Sequence, residues 1–305
     1  IYDEVITGLT SQQKYIPCKY FYDTTGSELF EMITHSEDYY PTRTEKQIIS
    51  NLLNLIRLNL QNLNIIELGS GDPSKIMLLL KQIPGHLLQT INYYPVDICE
   101  SEIIKSTEII SRTFSLNSIE GIVADFHHKL YMLPKDGHKL FCFFGSTIGN
   151  FTVEEIRQFM QHLDEEMKSG DALLLGVDMI KDTHIIEKAY NDSEGITACF
   201  NLNMLNVINR IAGTDFRTHD FSHYAFFNKE KKQVEMHLKA LKDIIVMPEK
   251  SSGLIIIRKN ETIHTENCHK FTYESIMKLC QWGRFSQYTI CHDPLGWFSL
   301  VYAVK

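Results

Sequence analysis

A series of short, largely apolar runs separated by helical patterns does most to restrict the fold of this chain. Asn64–Leu68, Ile91–Val96, Gly121–Ala124, Lys139–Phe144 and Asp171–Val177 are the runs, in order. Strands buried on both faces of a parallel sheet have this character, because neither face meets water. Between the last two runs, Val153, Ile156, Phe159, Met160, Leu163 and Met167 recur at spacings of three and four, which predicts an amphipathic helix. Gly170 lies just past it, where a left-handed cap is expected. Thr44–Leu60 reads as a longer helix leading into the first strand. The alternation predicts an α/β, doubly wound, Rossmann-like sheet.

Two stretches break the rhythm. Residues 1–43 are rich in aromatic and turn residues. Residues 181–270 hold a helical pattern at Asn203–Ile211 and a strand pair at Val234–Val246 and Leu254–Arg258. Together they read as one added lobe, leaving 44–180 and 271–305 as the sheet domain. A helix at Tyr273–Gln281 and a closing hairpin of Ser286–Cys291 with Trp297–Val304 end the chain.

Composition excludes several classes. A formal net charge of −8 and the absence of a long basic run argue against a nucleic-acid partner. Lys229-Glu230-Lys231-Lys232 reads as a solvated turn. The seven cysteines form no Cys-x-x-Cys pair, so neither a metal site nor a redox motif is expected, and buried free thiols are. No apolar stretch is long enough for a membrane, and no basic segment followed by an apolar run opens the sequence. A cytoplasmic monomer is the expectation.

The first run ends in Glu67-Leu-Gly-Ser-Gly71, where a strand meets a helix. Glycines there let the backbone approach a ligand without a Cβ clash. Taken alone, the motif is an ordinary tight turn. The third glycine of a dinucleotide fingerprint is replaced by Ser74, and Pro73 interrupts the loop, so a pyrophosphate loses its seat. S-adenosylmethionine carries no pyrophosphate and suits Gly69, Ser70 and Gly71 better. Asp97 closes the second run, where an acid accepts ribose hydroxyls. Asp125-Phe126 follows the third, where a carboxylate takes an adenine amino group and a ring stacks on the base. The closing hairpin also suits methyltransferases better than nicotinamide-dependent oxidoreductases.

Phe21-Tyr-Asp-Thr-Thr-Gly-Ser-Glu-Leu-Phe30 and Tyr39-Tyr-Pro-Thr-Arg-Thr-Glu45 resemble the opening block of the histidine-specific N-methyltransferases of ergothioneine biosynthesis. Glu67–Lys75, Gly145–Asn150, Asp178–Asp182, Ala189–Asp192, Gly195–Asn203 and Glu235-Met236 extend the resemblance in order along nearly the whole chain. It implies a class I, S-adenosylmethionine-dependent methyltransferase sheet with a substrate-binding lobe. The implied reaction converts L-histidine to its trimethylated betaine, hercynine. The resemblance assigns the cofactor to Gly69, Lys75, Asp97, Asp125 and Phe126. It assigns the amino acid to Tyr39, Asn150, Tyr190 and the segment Glu266, Asn267 and Cys268, with Tyr22, Phe30, Thr147 and Met236 lining the same pocket.

No dedicated catalytic base is expected. An α-amino group with a pKa of about 8 is partly neutral near neutral pH, so positioning by Tyr22 and Asn150 is the main requirement. Tyrosine faces at Tyr22 and Tyr39 suit a quaternary ammonium product. Glu266 by itself reads as a surface acid in a charged loop near Glu261; in the family it accepts from the imidazole. Here the sequence departs from the family: Cys268-His269-Lys270-Phe271 stands where Ser-Cys-Lys-Phe is usual, and a thiol is a weak donor. Tryptophan or a derivative, the substrate class of fungal relatives with this fold, is the alternative. An idle binding protein on the same fold is expected to have lost some of Asp97, Asp125, Asn150 and Glu266, and all are present.

Overall fold

In a computed structural model, residues 1–125, 133–134, 137–250 and 253–305 are described. The strands in chain order are β1 (Lys14–Tyr15), β2 (Leu63–Leu68), β3 (Asn92–Asp97), β4 (Ser118–Ile119), β5 (Ile122–Val123), β6 (His138–Phe143) and β7 (Ala172–Asp178). They continue as β8 (Phe221–Asn228), β9 (Gln233–Ala240), β10 (Ile244–Val246), β11 (Ile255–Ile257), β12 (Thr262–His269), β13 (Gln287–His292) and β14 (Phe298–Val304). The chain divides into two compact units. One is Ile1–Tyr40 with Lys181–His269; the other is Pro41–Ile180 with Lys270–Lys305.

The second unit is built on the sheet β13-β14-β7-β6-β2-β3-β4, with β5 also paired to β3. The pairs from β7 through β4 and β5 are parallel, and β14 pairs antiparallel with β7 and with β13. Every residue of β2 and β7 is buried, which accounts for their largely apolar runs, broken in β2 by the buried Asn64 and Glu67. No apolar–polar alternation marks these strands, because both faces of the sheet are covered. Ile65 joins one core cluster with Leu79 and Leu140, and Ile66 joins the other with Phe141 and Phe159. Strand β2 lies between β3 and β6, so the chain reverses its direction of travel across the sheet there. Ligands of such sheets sit outside the carboxyl ends of the strands at this reversal. This is the expected doubly wound, Rossmann-like sheet with its antiparallel closing hairpin.

Some local expectations are corrected. The helix expected over Thr44–Leu60 runs over Tyr40–Ile49 and is followed by a short 3₁₀ turn, Leu52–Asn54. Pro41 is tolerated in its first turn. Gln82 ends it, donating to Ile49 O at 2.7 Å and accepting from Leu53 N at 3.0 Å. The amphipathic helix is Val153–Glu166, opened by a Thr152/Glu155 capping box, and Val153 itself is exposed. Met167 leaves it in an extended conformation, so Gly170 is no cap; it turns the chain at φ +91° and donates to Lys305 O.

The first unit holds the sheet β1-β12-β9-β8, the separate pair β10-β11, and the helices Tyr2–Thr10, Thr24–His35, Thr183–Tyr190 and Ile196–Ala212. The segment expected as one strand from Val234 to Val246 is two strands of different sheets, β9 and β10. The helix expected at Asn203–Ile211 begins earlier, at Ile196. Asp192 accepts from Ile196 N and Thr197 N, each at 2.8 Å, and so fixes that start. Among the described residues, no helix is long and apolar enough to cross a membrane.

Candidate functional site

The loop after β2 is shaped by backbone geometry. Gly69 and Gly71 have φ of +67° and +37°, and the Gly69 and Ser70 amides donate to Val96 O at 2.8 and 3.2 Å. This ties the loop to the end of β3. Asp97 closes that strand and accepts from Gly71 N at 3.1 Å and Cys99 N at 3.0 Å. Burial raises the pKa of Asp97, against the lowering effect of the Cys99, Gly71 and Ile98 amides. A Cβ on Gly71 would meet nothing within 4 Å, so the loop opens onto space there. The Ser70 hydroxyl is buried and has no hydrogen-bond partner. An orphaned hydroxyl, an open glycine turn and a strand-end acid fit a ligand that carries a ribose and polar groups of its own.

Lys75 follows in the first turn of the helix Ser74–Leu80, and its ammonium lies 2.7 Å from Glu45. Asp125 stands after β5, next to Ala124, whose amide donates to Asp97 O at 2.9 Å. Phe126 lies outside the described residues.

The segment after β6 carries two consecutive left-handed residues, Gly145 at φ +78° and Ser146 at φ +57°. A left-handed serine costs energy and persists only where its surroundings hold it. Here Ser146 Oγ accepts from Asp178 N at 2.9 Å, and Thr147 Oγ1 donates to Phe144 O at 3.0 Å. The 3₁₀ turn Thr147–Asn150 comes next, placing both candidate residues on one short, pinned element.

In the first unit the aromatic candidates form a cluster. Tyr22 meets Phe30 edge-on at 5.8 Å, Phe30 meets Tyr39 at 6.4 Å, and Tyr39 meets Tyr190 at 6.4 Å. Phe200 completes it, 6.0 Å from both Tyr22 and Phe30. Nothing in the sequence singles out Phe200, although it lies inside the matching block Gly195–Asn203.

Glu266 is not in a surface loop. It is buried on β12, directly opposite Met236 of β9, and the next pair on that face is Cys268 with Val234. Strand alternation turns Asn267 to the other face of the sheet. There it accepts from Gln233 at 2.8 Å and shares a 2.9 Å hydrogen bond with His264. Met236, Glu266 and Cys268 are therefore brought together, and Asn267 is not. All seven cysteines are free, but only Cys142, Cys268, Cys280 and Cys291 are buried. Among the described residues, no group of three or more His, Cys, Asp or Glu is placed to hold a metal ion.

Sequence reasoning passes over two buried acids near the glycine loop. Glu67 accepts from the Tyr93 hydroxyl at 2.5 Å. Glu45, fully buried, accepts from Gly145 N with both oxygens, at 3.0 and 2.9 Å. The available signal for Glu45 is Gly176, a glycine in the middle of an apolar strand.

The whole chain, residues 1–305, matches a family described as histidine-specific methyltransferase, SAM-dependent. It is 34% identical to the histidine N-alpha-methyltransferase of Mycolicibacterium smegmatis, covering 99% of this chain and 94% of that one. It is 39% identical to the enzyme of the same name from Mycobacterium tuberculosis, over 78% of this chain and 74% of that one. A 4-dimethylallyltryptophan N-methyltransferase of Epichloe festucae var. lolii is 26% identical, over 92% of this chain and 87% of that one.

Proposed function

The chain belongs to the family of histidine-specific, S-adenosylmethionine-dependent methyltransferases, and from that premise we propose that it methylates the α-amino nitrogen of free histidine to the trimethylated betaine. It is an amino-acid N-methyltransferase, and its cofactor is S-adenosylmethionine. The observation that carries the histidine reading is the buried carboxylate of Glu266, aligned with Cys268 of its own strand and Met236 of the neighbouring one on one face of the sheet. A buried acid favours a ligand that brings an N–H to it. A purely apolar group in that place forgoes a charge-assisted hydrogen bond worth about 1.5–3 kcal/mol.

The cofactor supplies an electrophilic methyl group on a sulfonium. The residues we assign to holding it are the Gly69-Ser70-Gly71 backbone, Lys75, Asp97 for the ribose hydroxyls and Asp125 for the adenine amino group. We extend the assignment to Phe126 on the resemblance alone. Asn150 and Thr147 we assign to the amino acid's backbone end, where an amide can donate to a carboxylate and accept from an amine. Tyr39 and Tyr190 add phenol donors, and Tyr22, Phe30 and Tyr39 add ring faces for a methylated cation.

No residue is needed as a strong base. An α-amino group has a reference pKa of about 8, so a usable share is neutral near pH 7.5. Holding the lone pair in line with the methyl carbon contributes on the order of 7–11 kcal/mol when two reactants are fixed in register. The first two rounds each release a proton from the nitrogen to solvent. The third leaves a quaternary ammonium that no longer donates hydrogen bonds, which is where the aromatic faces serve.

A second reading has one observation in its favour. Cys268 puts a thiol on the same strand face as Glu266, and a thiol is a weaker partner for a second imidazole nitrogen than a hydroxyl. An indole has one N–H and needs only the acid. Mass spectrometry of all twenty amino acids incubated together with enzyme and S-adenosylmethionine separates the readings. A product heavier than histidine by three methylene groups supports histidine and three methyl transfers. Methylated tryptophan as the main product would replace it with the second reading.

A further inference from the structure

Among the described residues, Glu45 is the most completely enclosed acid of the second unit, and its surroundings are arranged around it. Its side chain has no exposed surface, and that of Lys75 is only 17% exposed. One oxygen holds the Lys75 ammonium at 2.7 Å, and both oxygens accept from the amide of Gly145 at 3.0 and 2.9 Å. A buried carboxylate without such partners would be strongly disfavoured, so the three groups are fixed together.

One glycine is explained by this carboxylate and a second by the lysine it holds. Gly176 lies inside β7, where a glycine weakens a strand and marks close approach of another group. A Cβ there would come within 2.0 Å of Glu45 Oε1, so the position is kept clear for the acid. At Gly145 a Cβ would meet the Lys75 ammonium at 3.2 Å and Thr147 Oγ1 at 3.3 Å, on a residue whose φ is already +78°. Helix Tyr40–Ile49, the helix after the glycine loop and the turn after β6 thus converge on one side chain.

We infer that Glu45 is a positioning residue that sets Lys75 and the Gly145–Asn150 turn from a single carboxylate. This rests on the proposed reading in which Lys75 serves the cofactor and Asn150 the amino acid. Neutralising Glu45 loosens both: Lys75 loses its counter-charge, and the Gly145 amide is left with at most one acceptor oxygen. A purely structural ion pair would change stability and leave ligand affinity alone.

The test is calorimetric binding of S-adenosylhomocysteine to Glu45→Gln, Lys75→Met and the double variant, with thermal melts on each and steady-state kinetics on Glu45→Gln. Glu45→Gln is expected to weaken binding about tenfold and to raise KM for both substrates more than it lowers kcat, with partial recovery in Glu45→Asp. Because Glu45 acts through Lys75, the double variant is expected to bind no more weakly than Lys75→Met. It is also expected to melt above Glu45→Gln, since no lysine is left without its partner. Should Glu45→Gln fold poorly, the comparison of the double variant with Lys75→Met still decides the matter. Wild-type affinity in Glu45→Gln, or losses that multiply in the double variant, would overturn the inference. Unchanged affinity in Lys75→Met would instead remove Lys75 from the cofactor site, and the inference with it.

Discussion

Glu266 stands opposite Met236 because Thr265 does not: the register of β12 on β9 shifts between His264 and Glu266. Ile263 pairs with Leu238 and His264 with His237, so an unbroken ladder would put Thr265 opposite Met236. The extra residue of a β-bulge re-aims the side chains after it, and here it moves Glu266 and Cys268 onto the face of Met236 and Val234. Thr265 is held in the bulge by its own hydroxyl, which lies 2.8 Å from Asn201 Oδ1 and 3.1 Å from Met236 O. Asn201, fully buried, is fixed in turn by its bond to His237 O at 3.0 Å.

Thr265→Val keeps the shape of the side chain and removes that hydroxyl. Asn201 Oδ1 and Met236 O lose the donor they share, so a loss of about 1–3 kcal/mol of stability is expected in denaturant unfolding. The aim of Glu266 should loosen with it, raising KM for histidine more than KM for S-adenosylmethionine. A variant as stable and as selective as the wild type would show that the bulge is held by other contacts.

Asp97 serves the loop and, on the proposed reading, the ribose. Asp97→Ala removes a charged acceptor, for which losses of about 1.5–3 kcal/mol are typical, so cofactor affinity should fall about tenfold or more. Some stability should go too, because the Gly71 and Cys99 amides lose their acceptor. Asp97→Asn retains one acceptor oxygen and should fall between. Calorimetry giving wild-type affinity for Asp97→Ala would take this residue out of the site.

Glu67 makes stability depend on pH. Burial pushes its carboxyl up to about 8 from an ordinary 4.5; the Tyr93 hydrogen bond and the Lys75 charge oppose this, and the Asp72 and Asp97 charges add to it. The folded chain therefore holds a proton that the unfolded chain releases, in a window between those two values. The contribution is full below the lower value and is lost as pH rises through the upper one, by up to about 1.4 kcal/mol per pH unit. Glu67→Gln cannot titrate. The drop in unfolding free energy from about pH 5 to about pH 8 should therefore be smaller in the variant than in the wild type. Equal drops would place the proton elsewhere.

The doubly covered strands are legible because burial on both faces leaves a plain mark in sequence. β7 has no polar side chain before its last residue, β2 is apolar at four of its six positions, and the glycine loop punctuates β2. The lobe sheet leaves no such mark. β8 escapes the sequence reading altogether, and β12 hides behind Thr265, Glu266 and Asn267, polar residues that look like a loop until their partners are known. The start of the helix Ile196–Ala212 is hidden in the same way by Asn201, which faces inward and spends its amide on the sheet. Glu45 is the acid at the end of a recognised block, and nothing local reports that it is buried. Its partners, Lys75 and Gly145, are 30 and 100 residues away, so only the folded chain brings the three together.

Glu266 and Cys268 together should decide which side chain is accepted, and magnitudes separate their shares. The acid is buried, and a hydrogen bond from a ligand N–H to its carboxylate is worth about 1.5–3 kcal/mol, which weighs against purely apolar side chains. The thiol replaces, at most, one ordinary hydrogen bond, worth about 0.5–1.5 kcal/mol. The acid therefore dominates, and histidine should be the preferred substrate with a raised KM. Cys268→Ser should lower that KM several-fold while leaving kcat nearly unchanged, because a contact to the ring that persists through the reaction is uniform binding. Glu266→Ala should cost far more in kcat/KM for histidine, and should narrow the gap between histidine and phenylalanine. Competition assays that follow methyl incorporation from labelled S-adenosylmethionine measure each of these effects. If Cys268→Ser leaves the histidine KM where it was, the thiol does not face the imidazole; if tryptophan outcompetes histidine in the wild-type enzyme, the acid reads an indole and the methyltransferase assignment stands without the histidine one.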